Sequence, residues 1–238
     1  MNDKAQADTL TLTPPGSEPA QQEPVEEHKV STFRLVATLA VAGVLAGILI
    51  AAVNQHTKPI IDAYRAEQLR KAVYEVLPDA AGYNTFYLVD GALAATLPEG
   101  AKESEYKRIY AGHNEAGEPV GVAFSRGESG FQDVILVIMG FDPARGTVSG
   151  MKVLESKETP GLGDKIFKDQ AWVDQFFEGP QTPLIPVKPG SGKGVPGEID
   201  TITGATISTK AVIQIINNAI AEWQPVLAQG IPEAEAQP

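Results

Sequence analysis

The sequence predicts an α+β protein: one mixed domain standing behind a single N-terminal membrane-spanning helix. Three observations carry that expectation. Leu35 to Val53 is a run of nineteen residues in which Thr38 is the only side chain with a hydrogen-bonding group. Downstream, short β-branched and aromatic runs alternate with turn residues. The chain then closes on a long amphipathic helix.

Residues 1–32 are rich in Pro, Glu, Gln, Ala and Thr and lack hydrophobic periodicity, so they read as a disordered acidic tail. The span is expected over residues 33–54, because nineteen helical residues cover roughly 28 Å, close to the hydrocarbon thickness. Small residues along it (Ala40, Ala42, Gly43, Ala46, Gly47) suit close approach of other membrane helices. A cleaved signal peptide is the lesser reading, since the apolar run exceeds a signal core and no short basic leader precedes it. Basic residues flank both sides, Lys29 and Arg34 before, Lys58, Arg65, Arg70 and Lys71 after. A literal positive-inside count therefore disfavours export of the domain, although long downstream domains translocate largely regardless of charge.

Residues 55–229 form the expected domain. Ile60 to Leu77 reads as an amphipathic linker helix ended by Pro78. Strands are expected at Thr85–Val89, Val120–Ser125, Val134–Gly140 and Val148–Val153. A helix is expected over Lys165–Phe177, and loop over the proline- and glycine-rich Gln181–Gly197. Ser208–Leu227 carries Ala211, Val212, Ile215, Ile216, Ala219, Ile220 and Trp223 on one helical face. Residues 230–238 read as a second disordered tail.

Composition narrows the chemistry. A net charge of −11 makes nucleic acid an unsuitable partner. With no cysteine, disulfides, thiolate-held iron–sulfur clusters and thioether haem are excluded. His28, His56 and His113 are scattered, so no metal site is expected. Any redox cofactor must be organic.

Three segments could carry a ligand. Pro189-Gly190-Ser191-Gly192-Lys193-Gly194 superficially resembles a phosphate loop, but Val187 stands where the first glycine belongs and Gly194 follows the lysine. It reads as surface loop. Glu158-Thr159-Pro160-Gly161-Leu162-Gly163 follows a strand, and its glycines permit either close approach to a flat ligand or merely a strand-to-helix connection. Asp200-Thr201-Ile202-Thr203-Gly204-Ala205-Thr206 precedes the last helix. The hydroxyls of Thr203, Thr206, Ser208 and Thr209 could cap that helix. Alternatively, a phosphate at Thr206 would lie against its amides and macrodipole.

Taken together, and in this order behind one span, the last two segments resemble the FMN-binding domain family. That domain is shared by the G subunit of the Rnf electron-transport complex and the C subunit of the sodium-pumping NADH:quinone reductase. The family pattern of Asp, two variable residues, then Ser/Thr-Gly-Ala-Thr stands here as Asp200, Thr203, Gly204, Ala205 and Thr206. The resemblance runs over roughly residues 33–225. Compact length and the helix after the span look closer to the Rnf subunit, with the quinone reductase subunit as the runner-up. A cofactor-free, membrane-anchored binding module is the alternative of a different class.

The resemblance implies one FMN, transferred from FAD by a flavin transferase and esterified through its phosphate to Thr206. It further implies that Glu158, Thr159, Gly161, Leu162 and Gly163 help to enclose the flavin. The chain would be an electron-carrying subunit among the other membrane and peripheral subunits of a complex that couples ferredoxin and NAD chemistry to ion transport. It would have no catalysis of its own. The placement implied is single-pass in the cell inner membrane, with the domain on the periplasmic side. One departure is Gly130-Phe131-Gln132-Asp133, where many relatives have Gly-Tyr-Gly-Gly, so no flavin contact is assigned there.

Overall fold

The computed structural model describes residues 31–232; of the tails expected at 1–32 and 230–238, residues 1–30 and 233–238 lie outside them, whereas Thr32 already opens the first helix. Two units divide the chain, residues 1–56 and 57–238. In the first, the apolar run lies within helix α1 (Thr32–Val76), which is long and apolar enough to cross a membrane and buries none of that stretch against the protein. Span and linker helix are thus one element rather than two. Pro59 lies inside it, where the missing N–H removes a single backbone bond.

The second unit is built on six strands: β1 (Gly82–Val89), β2 (Ala92–Ala94), β3 (Arg108–His113), β4 (Pro119–Ser129), β5 (Val134–Asp142) and β6 (Thr147–Glu155). They form one antiparallel sheet in the order β2-β1-β3-β4-β5-β6. Alternation along each strand sends successive side chains to opposite faces. On one face Phe86, Ile109, Val122, Phe124, Val137 and Met139 join the main core. On the other, Tyr110, Ala123 and Ile138 meet Ala72, Val73 and Val76 from the end of α1 and Leu77 just after it. Gly140 and Gly150 are cross-strand partners; a side chain on Gly140 would collide with the Val76 carbonyl, and one on Gly150 would collide with the Phe177 ring and press on Val76. Their bareness lets the helix end seat directly on the sheet, where Ser149 Oγ donates to the Val76 carbonyl at 2.7 Å.

Helix α4 (Thr206–Leu227) covers the main-core face. Val212, Ile213, Ile215, Ile216, Ala219, Ile220, Trp223 and Leu227 are buried, and each large side chain removed from water contributes about 1.5–3 kcal/mol before entropy is counted. Polar contacts set its register: Glu222 pairs with Lys107 and Arg126, Arg126 also pairs with Glu128, and Asn218 donates to Glu128. Asn217 exchanges two 2.8 Å bonds with the backbone of Leu184.

The four expected strands are present with modest extensions, but the short β2 and the longer β3 are new, and β3 is the informative one. Its Arg-Ile-Tyr-Ala-Gly-His sequence has no apolar run, because Ile109 and Tyr110 serve opposite faces while the ends stay partly exposed. The expected Lys165–Phe177 helix is broken into α2 (Lys165–Lys168) and α3 (Gln170–Asp174). Asp169 adopts an extended backbone between them and its side chain accepts the Trp172 amide, capping α3. Within the stretch expected as loop, β7 (Ile185–Val187) pairs in parallel with β8 (Glu198–Asp200).

Candidate functional site

A cavity of about 320 Å³ opens where the chain leaves β6 and where α4 begins. Glu158, Thr159, Leu162 and Gly163 line one side of it. Gly204, Ala205, Thr206, Ile207 and Ser208 line the other, with Phe131 at the β4–β5 turn. The sheet order explains the convergence: β6 is the edge strand beside β5, so its end lies near both the turn preceding β5 and the helix crossing that face.

Glu158 organises the walls. It is 5% exposed. One carboxylate oxygen accepts the amides of Phe131 at 2.9 Å and Gln132 at 3.0 Å, and the other accepts the Ser208 hydroxyl at 2.6 Å. Burial pushes this carboxyl up, but the Ser208 hydroxyl and the amides of residues 131–133 more than offset it and hold it below its ordinary range. Three segments distant in sequence are therefore tied to one side chain. Gly163 lies so close that a Cβ there would come within 2.5 Å of a Glu158 oxygen and 3.0 Å of the Ser208 hydroxyl.

Around this post the turn is closed locally. Thr159 Oγ1 donates to Gln132 Oε1 at 2.8 Å, and the Leu162 amide returns to the Thr159 carbonyl at 3.1 Å. Gly161 sits at φ +79°, where glycine carries no Cβ penalty, and its amide donates to Asp164. The ammonium of Lys168 beside Asp164 holds that carboxyl below its usual range, against the effect of burial.

At the opposite wall α4 starts without a cap. Its N-cap residue is Ala205, which has no side-chain acceptor, and no side-chain bond is made. The nearby hydroxyls are engaged elsewhere: Ser208 with Glu158, Thr209 with the carbonyls of Ala205 and Thr206, and Thr206 only weakly with the Ile202 carbonyl at 3.4 Å. The capping role open to these residues on sequence is thus taken by none of them. The first-turn amides of a 22-residue helix remain available to an anion. Thr206 is exposed, and Gly204, at φ +84°, leaves the approach to it open.

Of the residues singled out on sequence, Glu158, Thr159, Leu162, Gly163, Gly204, Ala205 and Thr206 line this cavity. Gly161 and Thr203 lie within the same two turns but outside the lining. Asp200 faces a separate groove with Gln175, Gly190 and Glu198, where its backbone is held by Trp172 and Gln175. The glycine-rich loop at 189–194 offers no phosphate cradle, since Glu198 already accepts the amides of Lys193 and Val195.

Phe131, Ile207 and Ser208 complete the site, and the sequence does not assign them to it. Ser208 stands among the capping candidates, and its pairing with a residue fifty positions away has no local signal. Phe131, Leu162 and Ile207 are 64%, 52% and 59% exposed. They form an apolar rim around a polar floor, suited to a flat, largely apolar ring bearing an anionic group.

The FMN-binding domain family matches residues 130–221, which include both walls of the cavity. The G subunit of the Na(+)-translocating ferredoxin:NAD(+) oxidoreductase complex of Acetobacterium woodii is 33% identical over 194 residues, covering 81% of this chain and 91% of that protein. The G subunit of the ion-translocating oxidoreductase complex of Escherichia coli K12 is 32% identical over 186 residues, covering 76% and 85%. Among solved structures, Shewanella oneidensis NqrC shares the fold at 18% identity with a TM-score of 0.58, over 70% of this chain and 98% of that one. The C subunit of the Na(+)-translocating NADH-quinone reductase of Parabacteroides distasonis is similar at 18% identity and a TM-score of 0.52, over 67% and 91%. With its span, its sheet-and-helix domain and its cavity between the Glu158 turn and the α4 N-terminus, this chain belongs to the G-subunit family of ion-translocating oxidoreductase complexes.

Proposed function

We propose that the chain is the FMN-carrying, electron-transferring subunit of an ion-translocating oxidoreductase complex of the Rnf type, with the flavin phosphate esterified to Thr206. The observation that carries the reading is the pairing of an exposed threonine hydroxyl with an uncapped helix N-terminus, across from an apolar rim. The residues present fit the group. Phe131, Leu162 and Ile207 can cover an isoalloxazine, Gly163 and Gly204 keep its approach clear, and the first-turn amides of α4 can receive a phosphate.

Attachment requires Thr206 Oγ to displace AMP from FAD. The Oγ–P bond forms, the phosphoanhydride breaks, and the hydroxyl proton passes to a base of the flavin transferase, the maturation partner. The threonine is an anchor rather than a catalytic residue. Bound there, FMN supplies one- and two-electron redox chemistry. The chain itself holds the cofactor by ester, limits water through its apolar rim, and keeps both walls in register through Glu158. Among the described residues the cavity's one carboxylate, Glu158, is committed to Ser208 and two loop amides, and we assign turnover to the assembled complex with its other membrane and peripheral subunits.

The single apolar helix and the membrane-complex relatives make this a single-pass inner membrane protein. We place the domain on the periplasmic side, where a covalent link prevents loss of a cofactor that no local pool would replace. Full chain co-produced with a flavin transferase is expected to gain the mass of one FMN less water, with peptide mapping to Thr206. A colourless product of unmodified mass would reject the flavin reading. For orientation, a periplasm-dependent reporter fused after the last residue is expected to be active, and silence reverses the placement.

A further inference from the structure

We propose that Lys165 and Lys210 form a two-lysine clamp for the flavin phosphate at Thr206, an inference that rests on Thr206 being the point of attachment. Lys165 opens α2 and is half-buried. Its ammonium lies 4.0 Å from the point where a Gly204 side chain would begin, so it stands over the turn that delivers Thr206. Lys210 is exposed and one helical turn beyond Thr206. Residues four apart share a helix face, and side chains lean toward the N-terminus, so Lys210 reaches back toward the same hydroxyl.

Their neighbours make these two lysines unusual. The chain carries net charge −11, and other cations around the site find carboxylates: Lys157 pairs with Asp133, and Lys168 with Asp164. Among the described residues neither Lys165 nor Lys210 makes an ion pair. The first turn of α4 contains no acidic residue to offset the positive helix end. The carboxylate that lines the cavity, Glu158, is committed to Ser208 and the two loop amides. Lys165 beside the Gly204 turn, Lys210 one turn along the same helix face and the helix N-terminus are therefore all within reach of a group carried by one exposed hydroxyl. A phosphodiester at Thr206 supplies their counter-charge.

The experiment uses the full chain in detergent, a purified flavin transferase and FAD, following loading by intact mass and in-gel fluorescence. Loading of the Lys165→Gln, Lys210→Gln double variant is expected to slow about tenfold, the scale of one charge-assisted hydrogen bond. Lys165→Arg and Lys210→Arg are expected to restore it. The increase in thermal midpoint on loading should shrink in the double variant, and added salt should erode that increase in the wild type but little in the variant.

Wild-type loading with an unchanged midpoint gain would overturn the clamp. Slow loading with an unaltered, equally salt-sensitive gain would also overturn it, because the lysines would then serve the transferase. Flavin mapped away from Thr206 in the wild type removes the attachment reading and the clamp together. Correct mapping with indifferent lysines removes the clamp alone.

Discussion

The Glu158 carboxylate accepts the Ser208 hydroxyl at 2.6 Å, joining the turn after β6 to the first turn of α4 across fifty residues of chain. Because the other oxygen of Glu158 takes the Phe131 and Gln132 amides, this side chain sets the separation of the cavity walls. Glu158→Ala strands a hydroxyl and two amides and is expected to cost about 1–3 kcal/mol. Chemical denaturation of the unloaded protein would measure it, and loading should also slow because the walls are no longer held together.

The same residue predicts a pH dependence. Glu158 is held below its ordinary carboxylate range in the fold. Its contribution to stability is therefore present above the unfolded value of about 4.3 and lost as pH falls through the lower folded value. Thermal midpoints from pH 7 down to pH 3 should show a steeper acid limb for wild type than for Glu158→Gln. Parallel limbs would mean the carboxyl is not held in its charged form.

Thr206→Ala should abolish covalent flavin and leave the fold nearly unchanged. Its hydroxyl makes one long bond to Ile202 and caps nothing, so the expected loss is within about 0.5 kcal/mol. Intact mass and a melting curve on the same sample decide both halves. Retained covalent FMN would relocate the anchor.

Gly163→Ala should be far more damaging than its size suggests. The added methyl would press on Glu158 at 2.5 and 2.8 Å and on Ser208 at 3.0 Å. About 1–3 kcal/mol of overpacking is expected, together with loss of the acid limb that Glu158 supplies. Gly161→Ala is the useful contrast: space around it is open but φ is +79°, so its cost is backbone strain of about 1–2 kcal/mol with Glu158 untouched.

Leu162→Ser addresses the rim. Leu162 is half-exposed in the unloaded chain, so stability should move by no more than about 0.5 kcal/mol. In the loaded protein, quenching of flavin fluorescence by iodide should rise, because one wall against water is gone. Unchanged quenching would place the ring elsewhere.

Much of this protein is legible one element at a time. Periodicity of 3.6 in Ser208–Leu227, alternation in β4 to β6, and the apolar run of α1 each report the burial of their own residues, and burial is what selects those sequences. The two turns around Glu158 and Thr206 stand out through the family resemblance, since glycine and threonine at close spacing by themselves suit a plain connection or a helix cap equally well.

Where sequence and structure differ, the cause is the opposite one. Strand β3 leaves no signal because it divides Ile109 and Tyr110 between two faces and has no apolar run of its own. The Lys165–Phe177 stretch breaks at Asp169, whose side chain does more for α3 as a cap than its backbone would as a helical residue.

The sequence by itself determined the α+β class, the single span, the closing helix and the identity of the candidate anchor. Only the tertiary structure decided that Ser208 donates to Glu158, that α4 begins uncapped, and that Phe131, Leu162 and Ile207 line the same opening. Those facts depend on which strand lies at the sheet edge and which face α4 covers. Contacts between distant segments leave no periodic trace in the residues that make them.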